Sequence, residues 1–109
     1  MTMGKIIYSS NFYLGDGITP EKLDKIKKKI EKKPLHTDFY LIALAGNEKD
    51  LLDIYSSRYL VQKYYESHIP YVCGLADNHG DAVALVEQIV KDCLAKRGDL
   101  KVREFVMEK

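Results

Sequence analysis

A short stretch of this chain occurs twice. Leu44-Ala45-Gly46-Asn47-Glu48-Lys49-Asp50 returns thirty-one positions later as Leu75-Ala76-Asp77-Asn78-His79-Gly80-Asp81. Each copy is an apolar run that ends in Leu-Ala, meets Asn, and reaches Asp three positions on, at the start of an amphipathic pattern. An Asn at a helix N-cap accepts a hydrogen bond from a free N–H of the first turn. An Asp at N3 can return the favour to the cap's own N–H, and it suits the positive end of the helix dipole. Both copies therefore read as a β-strand turning into a capped helix.

The segments around the echo extend this reading. Phe39-Tyr40-Leu41-Ile42-Ala43-Leu44-Ala45 and Tyr71-Val72-Cys73-Gly74-Leu75-Ala76 are apolar without alternation. Strands of that kind are covered on both faces, as in a parallel sheet between helices. Residues 5–13 form a first strand, less regular after Ser10, and Gly15-Asp16-Gly17 is a turn. Thr19-Pro20-Glu21 opens a helix with Thr19 as cap and Pro20 at N1; Leu23, Ile26 and Ile30 form its apolar stripe and Pro34 stops it. A second helix spans about 48–67. A third spans about 81–96, with Ala82, Val83, Val86, Ile89, Val90 and Cys93 on one face and Arg97-Gly98 at its end. Leu100, Val102 and Val106 suggest a last edge strand. The expected fold is a single α/β domain over residues 1–109, three-layer α/β/α. Its mostly parallel sheet of about four strands runs in β-α-β-α-β-α-β order, Rossmann-like or flavodoxin-like. The unbroken apolar second strand argues for a central place, whereas a flavodoxin-like 2-1-3-4 order would put it on the edge, so the strand order stays open.

In open sheets of this type, ligands bind beyond the carboxyl ends of the strands. That edge would collect Gly15-Asp16-Gly17, Gly46-Asn47-Glu48 and Asp77-Asn78-His79-Gly80. Asn47, Asp77, Asn78 and His79 are thus candidate ligand-binding residues, and Asp77 with His79 has the composition of an acid/base pair. No nucleophile is placed beside them, so no catalytic residue is assigned and the chain reads as a binding protein rather than an enzyme. The chain has no G-x-G-x-x-G or G-K-[ST] loop for nucleotide phosphates, and no cofactor is expected. His36 and His68 precede strands, at the opposite edge; further ligands for a metal are lacking. Cys73 and Cys93 read as reduced, buried side chains.

The second helix carries two anomalies. Arg58 and Gln62 interrupt its apolar arc, while Leu60 and Tyr64 pair on the polar side. Tyr and Arg are enriched at interface hot spots, so these four residues mark a surface for a homodimer or another protein. Charge adds a third feature. From Glu21 to Lys33 seven Lys face three acids, a local +4, while the remainder carries ten basic and thirteen acidic residues, or −3. Without interleaved aromatics or a binding motif, this reads as a solvated lysine face, with weak nucleic-acid binding only a third possibility. No apolar stretch reaches the ~20 residues that span a bilayer, and the first residues lack a signal-peptide core, so a cytoplasmic location is expected.

The run Phe39–Ala45, the segment Gln62-Lys63-Tyr64-Tyr65 and the stretches Gly74-Leu75-Ala76 and Ala84–Val90 resemble small uncharacterised single-domain bacterial proteins. That resemblance implies no activity and carries over no site residue. Three readings of function follow: a non-enzymatic interaction module or homodimer using the second helix; a small-ligand-binding protein or simple enzyme using loops 46–48 and 77–80; and weak nucleic-acid binding through the first helix.

Overall fold

A computed structural model describes residues 6–33, 36–44, 52–58 and 71–107. The elements are β1 (Ile7–Leu14), α1 (Pro20–Lys32), β2 (Tyr40–Leu44), β3 (Leu52–Ser56), β4 (Tyr71–Ala76), α2 (His79–Arg97) and α3 (Val102–Met107). Among the described residues the strands form one sheet in the order β1-β4-β2-β3. Only β1 and β4 pair in parallel; β2 is antiparallel to both β4 and β3. The expected mostly parallel three-layer sheet, Rossmann-like or flavodoxin-like, is therefore overturned, and the sheet is mixed with mostly antiparallel pairing.

The cause is the stretch expected to be a second helix. Leu52-Asp53-Ile54-Tyr55-Ser56 is a strand, paired with β2 from Leu44↔Leu52 to Tyr40↔Ser56. Leu52 and Ile54 pack toward one face of the sheet and Tyr55 toward the other. The apolar spacing fits period 2 as well as 3.6, and Ile and Tyr favour strands. The chain thus pairs back beside β2 instead of crossing over a helix, and β2 also runs against β4. Beyond the end of β3, Ser57 N–H donates to Phe39 O at 2.9 Å and continues the ladder. Thr37 and Ser57, both buried, share a hydroxyl hydrogen bond of 2.6 Å.

Helices cover both faces. On one, Leu23, Ile26 and the fully buried Ile30 of α1 pack with Leu41, Ala43, Val72 and Leu75. On the other, Ala82, Ile89 and Cys93 of α2, with Val102, Phe105 and Val106 of α3, pack with Ile42, Leu44, Cys73 and Ala76. β2 divides its side chains between the two cores, which explains its unbroken apolar run, and it lies inside the sheet between β4 and β3. In β4 the alternation slips once. Ile42 pairs with Gly74 and Ala43 with Val72, so Cys73 is an extra residue on the β4 side. At this bulge Cys73 and Gly74 both lie against Ile42. A Cβ on Gly74 would stand 3.0 Å from Ile42 Cδ1 and 3.4 Å from its Cβ. Close approach, not a special backbone angle, requires glycine here.

The ends of α2 follow the capping chemistry. Asn78 Oδ1 accepts from the Asp81 N–H at 2.8 Å, making Asn78 the N-cap. Asp81 reaches back to the Asn78 side-chain amide at 3.0 Å rather than to its backbone N–H. At the other end Gly98 takes φ 75° and donates its N–H to Leu94 O. This left-handed cap is a conformation that side chains disfavour. Thr19 stands at the N-cap of α1, but its side chain makes no capping bond, and the turn closes through its carbonyl, which accepts from Lys22 N–H. The expected C-terminal strand is a helix: Val102, Phe105 and Val106 are spaced i, i+3, i+4 and are all buried. Arg97 ties α3 to α2, bonding Asp99 at 3.1 Å and Glu104 at 2.6 Å.

Candidate functional site

Because β1 and β4 are parallel, the Gly15–Gly17 turn and the Asp77–Gly80 corner do meet at one edge. Gly17 backs onto the Asp77 carboxylate, and Gly15 lies against Ala76 and Asp81. Gly46-Asn47-Glu48 was expected to join them. However, antiparallel β2 starts at this edge, where Tyr40 pairs with Ala76, and leaves the sheet at the other end. Asn47 itself lies outside the described residues, as does Asp50 of the first copy of the echo. The expectation that His36 lies at the opposite edge also fails: His36 precedes β2 and so joins the 77–80 edge, exposed. His68 is outside the described residues.

The residues at this edge are largely engaged with one another. Asp77 Oδ1 accepts from the Asn78 amide at 2.9 Å, so Asp77 serves the cap. His79, the first residue of α2, sets its ring edge-on to Tyr40 at a centroid distance of 5.6 Å. Asp77, Asn78 and His79 are all exposed. Among the described residues no three His, Cys, Asp or Glu side chains gather as a metal site.

The surface assigned to the second helix loses its helical basis, since 52–56 is a strand. Leu60, Gln62 and Tyr64 lie outside the described residues. Arg58 follows β3, and its Nε donates to Thr37 O at 3.2 Å, which fastens the end of β3 to the approach to β2.

A cleft lies elsewhere among the described residues, along edge strand β1. β1 follows β4 through Ile7↔Tyr71 and Tyr8↔Val72, then resumes only at Tyr13↔Gly74 and Leu14↔Leu75. Residues 9–12 bulge off the ladder. Ser9 is buried and donates its hydroxyl to Val106 O at 2.6 Å, which pins the base of the bulge to α3. A cleft of about 630 Å³ opens there, lined by Ser10, Phe12, Tyr13, Asp92, Ala95, Lys96 and Phe105. A smaller one of about 250 Å³ continues past Gly15, Asp16, Asp81, Leu85 and Gln88. The α2 residues in the two clefts, Asp81, Ala84, Leu85, Gln88, Asp92, Ala95 and Lys96, recur at helical spacing and form one flank of a single trough.

At the centre of this trough Asp92 is held from two sides. Tyr13 OH donates to Oδ2 at 2.6 Å and Gln88 Nε2 to Oδ1 at 2.7 Å. Burial, then the bond to Asp92 and its negative charge, keeps the Tyr13 phenol above the usual tyrosine range, so it remains a donor. The result is a carboxylate of fixed orientation in a cleft that Phe12, Tyr13 and Phe105 also line. Sequence reasoning missed these residues. The available signals were the polar triplet Ser9-Ser10-Asn11 inside an apolar strand and the stripe at Gln88, Asp92 and Lys96 beside the apolar face of α2.

Neither Cys73 nor Cys93 forms a disulfide, and both are fully buried. Burial pushes the Cys73 thiol up to about 12, and a thiol so protonated is a poor nucleophile. No helix among the described residues is long and apolar enough to cross a membrane. Comparison of the chain with protein-family models, with curated proteins and with solved structures gave no match.

Proposed function

We propose that the chain is a binding protein for a small molecule with a flat apolar body and a protonated amine, held in the trough between β1 and α2. The observation that carries this reading is Asp92, fixed by Tyr13 and Gln88 at 2.6 and 2.7 Å in a cleft that Tyr13, Ala95 and Phe105 help to line. Apolar walls with a few oriented polar groups are the usual composition of a ligand site, and about 630 Å³ falls in the usual volume range. A bulge on an edge strand commonly re-aims side chains next to such a site. Each Asp92 oxygen keeps a second lone pair for a donor on the ligand. At the 77–80 corner, by contrast, Asp77, Asn78 and Asp81 bond one another around the N-cap of α2.

The test is amide NMR of the labelled full chain, titrated with aromatic and alicyclic amines and their neutral analogues. Expected are shifts at Ser10, Tyr13, Asp92, Lys96 and Phe105. A preference for amine over neutral analogue should fall about tenfold in Asp92→Asn, the loss of one charge-assisted hydrogen bond. Shifts gathered at Asp77–Asp81 instead, or no shift with any compound, would overturn the reading.

A further inference from the structure

The lysines of α1 are not arranged as an ordinary solvated face. At about 100° per residue, Lys22, Lys25, Lys29 and Lys32 fall within a stripe roughly 80° wide, and they span about 15 Å of helix axis, with Lys33 just beyond. All five are exposed, and among the described residues none makes an ion pair. Of the three acids, Glu21 borders the stripe at its first turn, whereas Asp24 and Glu31 lie on the other flank, where Glu31 accepts a hydrogen bond from Tyr8 OH at 3.3 Å. Lys27 also lies on that flank, its ammonium 4.3 Å from the Tyr8 ring centroid and 5.0 Å from that of Phe12. The helix dipole accounts for cations in the last turn, at Lys29 and Lys32, but it opposes Lys22 and Lys25 in the first two turns.

We infer that this ridge is a contact surface for the phosphate backbone of duplex nucleic acid. A straight row of flexible ammonium groups matches a regular line of phosphates. The ridge carries no Arg, Asn or Gln to read base edges, and the nearby aromatics, Tyr8 and Phe12, lie under the opposite flank. Binding is therefore independent of sequence. An acidic membrane fits less well. Interfacial helices insert an apolar face, whereas Leu23, Ile26 and Ile30 are turned into the protein core. The inference is independent of the ligand trough, which lies between β1 and α2.

The experiment is fluorescence anisotropy of a short mixed-sequence DNA duplex with the full chain, between about 50 and 200 mM salt. With four to five contacts the slope of log K against log salt should be near −4. Replacing Lys22, Lys25, Lys29 and Lys32 by Glu should weaken binding at 50 mM salt at least about tenfold and flatten the slope toward zero. The exposed pair Lys91→Glu with Lys101→Glu should change neither. Circular dichroism checks folding, and the same four positions changed to Gln serve if the Glu variant unfolds. A wild-type slope shallower than about −1, equal losses in the control pair, or tighter binding to phosphatidylserine vesicles than to DNA each overturns the inference.

Discussion

The antiparallel pairing of β2 with β4 can be tested at one contact. Gly74→Ala adds a single methyl at 3.0 Å from Ile42 Cδ1 and 3.4 Å from Ile42 Cβ, inside the 3.5–4.0 Å of an ordinary carbon contact. Overpacking of this kind costs about 1–3 kcal/mol. The stiffer unfolded chain offsets about 0.4–1 kcal/mol, leaving a net loss of about 1–2 kcal/mol. Ile42→Val alone deletes Cδ1 from a fully buried site and should cost about 0.5–1.5 kcal/mol. In the double variant the atom that clashes most is gone. Its stability should lie near that of Ile42→Val alone, a coupling of about 1 kcal/mol. Urea unfolding followed by tyrosine fluorescence and circular dichroism reads all four states, with unchanged m-values as the sign that only stability has moved. Two losses that add to within about 0.3–0.5 kcal/mol would refute the register Ile42↔Gly74, and with it the direction of β2.

The ends of α2 give a second prediction. Asn78→Ala removes the acceptor of the Asp81 N–H and should cost about 1 kcal/mol, while Asn78→Asp retains most of it. Gly98→Ala should cost a similar ~1 kcal/mol, although a Cβ there meets nothing within 4 Å, because the penalty is in the backbone. An unchanged midpoint in urea would contradict either assignment. A third prediction concerns alkaline pH. The folded-state pKa of Cys73 is raised from 9.0 to about 12 by burial. Its neutral thiol therefore contributes fully below about pH 9 and progressively less as pH rises toward 12. Tyr8 and Tyr13 are also raised, by burial first and then by Glu31 and Asp92, and join from about pH 10. Tm should fall steadily above pH 9, and in Cys73→Ala the decline should start about one pH unit later. A flat Tm between pH 9 and 11 would count against this burial.

What could be read from the residues was local. α2 carries an apolar face, a capping Asn and a Gly in the left-handed region, and each signal acts within one or two turns. β2 and β4 carry side chains for both cores, so their apolar runs are continuous. The direction of a strand is not written in its own residues, however. β2 would look the same running either way, and β3, whose Leu52, Ile54 and Tyr55 satisfy a helical and an extended period alike, gave no sign of the strand beside it. The C-terminal segment was misjudged for a simpler reason. Phe105 completes a helical triplet with Val102 and Val106, and only in its company does the spacing exclude a strand.

The reversal of β2 also decides where chemistry can sit. With a parallel β2, Asn47 would have faced Asn78 across a polar cleft. With an antiparallel β2, that edge receives Tyr40, whose ring meets His79, Thr37, which bonds Ser57, and Arg58, which bonds the Thr37 carbonyl. The order β1-β4-β2-β3 leaves β1 at the margin of the sheet, where an unpaired edge invites another strand. The bulge at residues 9–12 breaks the regular line of N–H and C=O groups that such a strand would need. The same displacement draws Ser10 and Phe12 away from β4 and leaves the space that Asp92 faces. Protection of the edge and formation of the cleft thus have one cause, the bulge whose base Ser9 pins to α3. Restoring apolar alternation there should close the cleft and expose the chain to self-pairing along β1.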